Sequence, residues 1–169
     1  MQRRLIKTFS QAFIRQLVGI GIFVAGSTSL ATEQSREIVS FGGQQFSMLE
    51  RPLNDHLRRL PTMPLFDVLA TSNWKGYVAG WEIKDSRLYL SFFEASTNGR
   101  PISLASLFPG RKLPILADWY SANLNLIMGK SVFDGGRFTF DRVTALYVTN
   151  GVVMATNEFR NIREDKLTK

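Results

Sequence analysis

The sequence predicts a mainly β fold: a rolled antiparallel sheet, barrel- or sandwich-like, of about seven to nine strands with one or two short helices. Three observations carry this. Apolar stretches rich in Val, Ile, Phe, Tyr and Trp alternate with Gly, Asn, Asp and Pro punctuation through residues 37–159, the pattern of strands joined by tight turns. Two dipeptides that accept positive φ, Gly42-Gly43 and Asn150-Gly151, sit between such stretches, where primed hairpin turns need them. Helical spacing occurs only over short runs. A flat open sheet of this size would leave long edges bare, so closure or stacking is expected, with the first helix plugging one end.

Element by element, residues 37–41 and 44–49 form a hairpin around Gly42-Gly43. Residues 52–60 place Leu53, Leu57 and Leu60 at helical spacing, and Pro61 ends that helix. Residues 73–83 and 88–95 make the strongest strand pair, joined through Lys84-Asp85-Ser86-Arg87. A second short helix is expected at 103–108. Residues 113–126 read as extended with an interruption near Asp118, and 133–140 turn through Asp134-Gly135-Gly136. Residues 143–149 and 152–159 close the chain as a hairpin, after which the charged tail RNIREDKLTK is expected to fray.

Composition removes several chemistries. The absence of cysteine excludes disulfide scaffolds, thiol nucleophiles and thiolate metal sites, and the single histidine, His56, excludes a multi-histidine centre within one chain. No cofactor is expected. The formal charge of +7 is unevenly placed: residues 1–31 hold four basic residues and no acid, so the remainder carries 17 bases against 14 acids, a net +3. That near-balance, with no basic stripe interleaved with aromatics, argues against nucleic acid. Gly129-Lys130-Ser131 lacks the upstream glycine of a phosphate loop, position 124 being leucine, and Asp134-Gly135-Gly136 is too short and too poor in carboxylates for a calcium loop.

Residues 1–31 read as a signal peptide. Arg3, Arg4, Lys7 and Arg15 precede an apolar run at 17–26, and Ser29 and Ala31 supply the small-x-small pattern of a cleavage site. The run is about half of the ~20 residues a spanning helix needs, so cleavage near Ala31 would leave no stable membrane span. The expected product is a single β-rich domain over 32–169, periplasmic or secreted, or cytoplasmic if the segment is not a functional signal.

The run Trp74-Lys75-Gly76-Tyr77-Val78-Ala79-Gly80-Trp81-Glu82-Ile83, followed by Leu88-Tyr89-Leu90, Leu107-Phe108-Pro109-Gly110 and Ala117-Asp118-Trp119-Tyr120-Ser121, resembles a family of small uncharacterised bacterial proteins. Its pattern is W-[KR]-G-Y-x-A-x-W-E-I, then L-Y-L, an LFPG segment and A-D-W-[FY]-[ST]. The resemblance spans about residues 37–160 and implies a domain boundary but no activity. The family's members start at the first hairpin, whereas this chain carries the export segment ahead of it.

Strand alternation divides the first motif into two faces. Tyr77, Ala79, Trp81 and Ile83 share the expected core face; Trp74, Gly76, Val78, Gly80 and Glu82 share the other. Two glycines between Trp74 and Glu82 mark either a bend, with a large neighbour such as Trp119 packed over them, or a groove where a ligand approaches the backbone. Glu82 and Asp118 are acids within apolar segments and could serve as a general acid and base on a glycan, with Trp74, Trp119 and Tyr120 as stacking platforms. The plainer reading pairs each acid with a basic or backbone donor. His56 has no nucleophile-elbow motif to work with and reads as a solvated helix-face residue.

These readings favour a non-enzymatic protein-interaction module that binds an unidentified protein through a sheet edge or the face bearing Trp74, Gly76, Gly80 and Glu82, with Trp119 and Tyr120 beside it. The alternatives are a carboxylate-dependent envelope glycan hydrolase using Glu82 and Asp118, and a small-ligand carrier with a hollow, lipocalin-like barrel. The density of large aromatics predicts a filled interior instead.

Overall fold

The computed structural model describes residues 36–68, 70–134 and 136–167; the expected export segment lies outside them. The chain forms β1 (Glu37–Phe41), β2 (Gln44–Met48), α1 (Pro52–Leu57), β3 (Tyr77–Lys84), β4 (Arg87–Thr97), β5 (Arg100–Pro101), α2 (Leu104–Leu107), β6 (Ile115–Leu116), β7 (Asn123–Asp134), β8 (Arg137–Thr149) and β9 (Val152–Arg163). The strands run in the order β3-β1-β2-β7-β8-β9-β4, and pairing of β3 with β4 returns the sheet upon itself as a ring, with β5 and β6 attached to β4. Among the described residues this is the rolled, mainly β architecture with two short α-helices that the alternation and turns predict.

Both expected hairpin dipeptides take the positive φ that a primed turn demands: 59° and 78° at Gly42 and Gly43, 47° and 75° at Asn150 and Gly151. The ring's seams are unequal. β3 and β4 pair along their length, whereas β4 meets β9 only at Arg87 and Val152. The Leu88 N–H donates to the Gly151 carbonyl and the Val153 N–H to that of Ser86, both at 2.8 Å. One pairing departs from the antiparallel expectation: β1 runs parallel to β3, with Ile38 opposite Gly80 and Phe41 opposite Ile83. A parallel pair needs a long crossover, which α1 and the loop after it provide.

The alternation along β3 holds. Tyr77, Ala79, Trp81 and Ile83 are buried, Val78 and Lys84 exposed, and Gly80 and Glu82 half-buried. Trp81 and Tyr77 fill the interior together with Met48, Leu90 and Leu124. At β4 the neighbouring rings part, Phe92 facing solvent and Phe93 packing against the core. α1 begins at Pro52, whose missing N–H is no loss in a first helical turn. It buries Leu53 and Leu57 at the end of the ring where β2 ends and β3 begins.

Several boundaries differ from expectation. α1 ends at Leu57 rather than residue 60, because Arg59 and Leu60 donate to the carbonyls of His56 and Leu57 in tight turns. The strand expected over 73–83 starts at Tyr77; residues 73–76 form a turn, with the Gly76 N–H on the Asn73 carbonyl at 3.2 Å and φ of +75° at Gly76. The stretch 113–126 divides into short β6 and the start of β7, parted by a turn in which the Tyr120 N–H donates to the Ala117 carbonyl. The tail does not fray at Phe159. β9 stays paired with β8 as far as Arg163, and Leu167 after the 3-10 turn Glu164–Lys166 is buried in a small cluster with Phe140 and Val143.

Candidate functional site

A cleft of about 380 Å³ opens between α1 and the segment before β3. α1 has two sides. Leu53 and Leu57, one turn apart, face the core, while Arg51, Asn54 and Arg58, at i, i+3 and i+7, line the cleft. The opposite lip is Met63, Pro64, Leu65 and Phe66, and Trp74, Lys75 and Tyr77 complete the lining. Three of these apolar side chains stand in solvent: Leu65 is 85% exposed, Trp74 61% and Met63 57%.

The lip is held from behind. The Asp67 carboxylate accepts the N–H groups of Asn98 and Gly99 at 2.8 and 2.9 Å, and the Asp67 N–H donates to the Ser96 carbonyl at 2.8 Å. These bonds, that to Gly99 foremost, hold the Asp67 carboxyl below its ordinary range. Gly76 lets the lip cross so closely: a Cβ there would lie 2.5 Å from Phe66 Cβ and 2.6 Å from the Asp67 carbonyl oxygen.

Beneath the cleft lies a buried polar network. Glu37, at the start of β1, accepts from Lys75 Nζ and Trp81 Nε1, each at 2.6 Å, and the Tyr77 hydroxyl donates to Asn54 Oδ1 at 2.7 Å. Burial lowers the Lys75 pKa despite the opposing pull of Glu37, and burial chiefly, then the Glu37 charge, raises that of Tyr77. The two bonds to Glu37 fasten β1 to β3 and to the turn before it, the Tyr77–Asn54 bond ties β3 to α1, and the lysine's charge is spent on Glu37.

On the far side of α1, a polar hollow shares Arg51, Asn54 and Arg58 with the cleft and adds Glu50, Asp55 and Tyr120. Both Glu50 oxygens are taken: Asn125 donates through its backbone N–H and its Nδ2, each at 2.6 Å. Burial nevertheless raises the Glu50 pKa, outweighing those two bonds. Asp55 lies 3.7 Å from Arg58. Arg51 makes no salt bridge among the described residues.

The candidates singled out by sequence are scattered. Trp74 lines the cleft, and Gly76 admits its lip. Gly80 sits at a β-bulge against β4, where a Cβ would meet Phe92 Cβ at 3.1 Å; the ring covering it is Phe92, not Trp119. Trp119 is no stacking platform. It is 7% exposed, donates Nε1–H to the Pro52 carbonyl at 2.9 Å and packs on Trp81, His56 and Phe108. Tyr120 is likewise buried, its hydroxyl donating to the Asn123 carbonyl at 2.6 Å, and burial raises its pKa. Asp118 forms a two-pronged pair with Arg111 at 3.0 and 2.8 Å, which holds its carboxyl below the ordinary range. Asp118 borders a hollow of about 130 Å³ with His56, whereas Glu82 is half-buried on β3 and lines none of the clefts described here. His56 is not a solvated face residue. Its ring stacks on Phe108 with centroids 4.0 Å apart, and its Nε2–H donates to the Leu107 carbonyl at 2.9 Å.

Sequence reasoning missed Arg51, Arg58, Met63 and Leu65. A signal existed: Met63 and Leu65 are large apolar residues in a proline-marked loop, where polar residues are the norm. Comparison of the chain with protein-family models, with curated proteins and with solved structures finds no match. Among the described residues no group of three or more metal-ligating side chains gathers, and no helix is long and apolar enough to cross a membrane.

Proposed function

We propose that the chain is a non-enzymatic binding module that holds a segment of a partner protein in the cleft between α1 and residues 63–66. One observation carries the reading: Trp74, Leu65 and Met63 are displayed around a single concavity, while the other two tryptophans, Trp81 and Trp119, are buried. Tryptophan, arginine and methionine are the residues enriched where proteins meet, and exposed apolar side chains clustered about a cleft mark such sites. Its apolar lip is a run of four consecutive residues, 63–66, along which an extended segment can lie. The export reading of residues 1–31 puts this module in the periplasm or outside the cell.

In-cell cross-linking of the tagged protein, followed by mass spectrometry, tests both parts. The expected result is a mature N-terminus at Thr32 and one stoichiometric partner, lost from Trp74→Ala and Leu65→Asp but kept by Met154→Ala, a change at an exposed position on β9. A partner retained equally by all three variants would sink the cleft reading, and an uncleaved cytosolic chain would overturn the location.

A further inference from the structure

The charges around the cleft specify the partner segment further. Its lining holds three cations, Arg51, Arg58 and Lys75, and no carboxylate. The acids nearby lie outside that lining. Glu37 binds Lys75 and Trp81 beneath the floor, Glu50 is tied to Asn125, and Asp55, across α1, faces Arg58 at 3.7 Å from an exposed position. Lys75 is neutralised by Glu37 at 2.6 Å with its side chain only 10% exposed, so it offers little to a ligand. Arg51 remains, and Arg58, whose side chain is 73% exposed, makes only a long 3.7 Å contact with Asp55. Arg51 is half-buried, makes no salt bridge among the described residues, and sits with Arg58 between the apolar lip and the polar hollow.

A half-buried guanidinium beside exposed apolar side chains is costly to leave unpaired and is well shaped to grip a carboxylate by two parallel hydrogen bonds. Resting on the cleft reading above, we propose that the partner segment is acidic: an extended peptide with a large apolar residue seated against Trp74 and Leu65, and an Asp or Glu close to it in sequence gripped by Arg51 and Arg58. The carboxylates of the polar hollow fix the direction. Glu50 and Asp55 repel an anion placed beyond the arginines, so the acid lies on the Trp74 side of them.

The test is selection of a displayed random peptide library against the full chain, followed by binding of a synthetic copy of the winning peptide to the parent, Arg51→Glu, Arg58→Glu and Trp74→Ala. The expected result is enrichment of Asp or Glu next to Trp, Phe or Leu, with affinity falling about tenfold or more in each charge-reversal variant and weakening as salt is raised. Unchanged melting of the exposed-site variants would verify that the fold is kept. Apolar peptides without acid enrichment, lost in Trp74→Ala but bound equally by Arg51→Glu, would overturn the acidic partner and leave the cleft reading standing. Peptides indifferent to Trp74→Ala, or no enrichment at all, would overturn both.

Discussion

Two tryptophan-centred regions of this molecule use the same materials to opposite ends. Around Trp119, a tryptophan, His56, Phe108 and the Asp118–Arg111 pair at its exposed rim form an internally satisfied assembly in which the indole N–H, the imidazole N–H and both acid oxygens have partners. Around Trp74, a tryptophan, apolar neighbours and arginines form an open one, in which the indole is 61% exposed and Arg51 has no salt-bridge partner among the described residues. Composition does not separate them. What does is whether the polar groups have found partners inside the chain; a satisfied cluster holds the fold, and an unsatisfied one is left for something else to complete.

The comparison can be broken by mutation. Trp119→Ala removes a buried ring and leaves a cavity, so a loss of about 3–5 kcal/mol is expected in urea unfolding, as for Trp81→Ala in the barrel interior. Wild-type stability for either would refute its assignment to the core. Glu37→Gln should cost about 3 kcal/mol, at the low end of what removing one partner of a buried ion pair costs, because Lys75 stays buried without its counter-charge. A double variant with Lys75→Met that recovers much of the loss would sharpen the point.

Gly76→Ala is expected to cost more than about 1 kcal/mol, since it combines a positive φ with a Cβ pressed into Phe66 and the Asp67 carbonyl. It should also shift the lip, so binding to the cleft falls alongside stability. Trp74→Ala, at the open region, should leave stability within about 0.5 kcal/mol of the parent. A large loss there would merge the two regions into one structural class.

The smallest effect concerns pH. Burial raises the Glu50 pKa in the folded state, so below the ordinary carboxylate range this group favours folding, and that contribution is lost as pH rises through the raised value. Asp118 acts in the opposite sense: its lowered pKa contributes stability above the ordinary range that is lost on acidification. Urea titrations across mildly acidic pH should therefore show a downward slope in the parent that Glu50→Gln abolishes. A slope unchanged by that substitution would assign it to other groups.

Much of the architecture was legible because it is local. Gly42-Gly43 and Asn150-Gly151 mark two hairpins by backbone conformation alone, and the alternation from Tyr77 to Ile83 separates core from surface through a period of two. The parallel β1–β3 pairing was not legible, since it joins strands separated by a helix and a long loop and no turn chemistry encodes it. The cleft was only half visible for the same reason. Trp74 and Gly76 stood out in a motif, but the surroundings of Trp74 depend on where the 61–68 loop crosses, fixed by Asp67 reaching the distant turn at Asn98 and Gly99, and the burial of Trp119 depends on contacts with Pro52, His56 and Phe108 far away in sequence or on other elements. The tail was misread because Leu167, set among charged residues, packs on Phe140 and Val143, while Asp165 makes exposed pairs with Arg137 and Arg163.

The first hairpin carries a consequence for assembly. β3–β4 and β7–β8–β9 are each built from neighbours in sequence, but the ring between β3 and β7 is completed only by β1 and β2, the first strands of the domain. That hairpin is a keystone. Its β1 edge can dock on β3 but its β2 edge must wait for β7, and a domain lacking the hairpin would present two raw edges to every neighbouring copy. A keystone supplied as a separate strand pair could then act as a plug, turning an aggregation-prone fragment into a closed ring on demand.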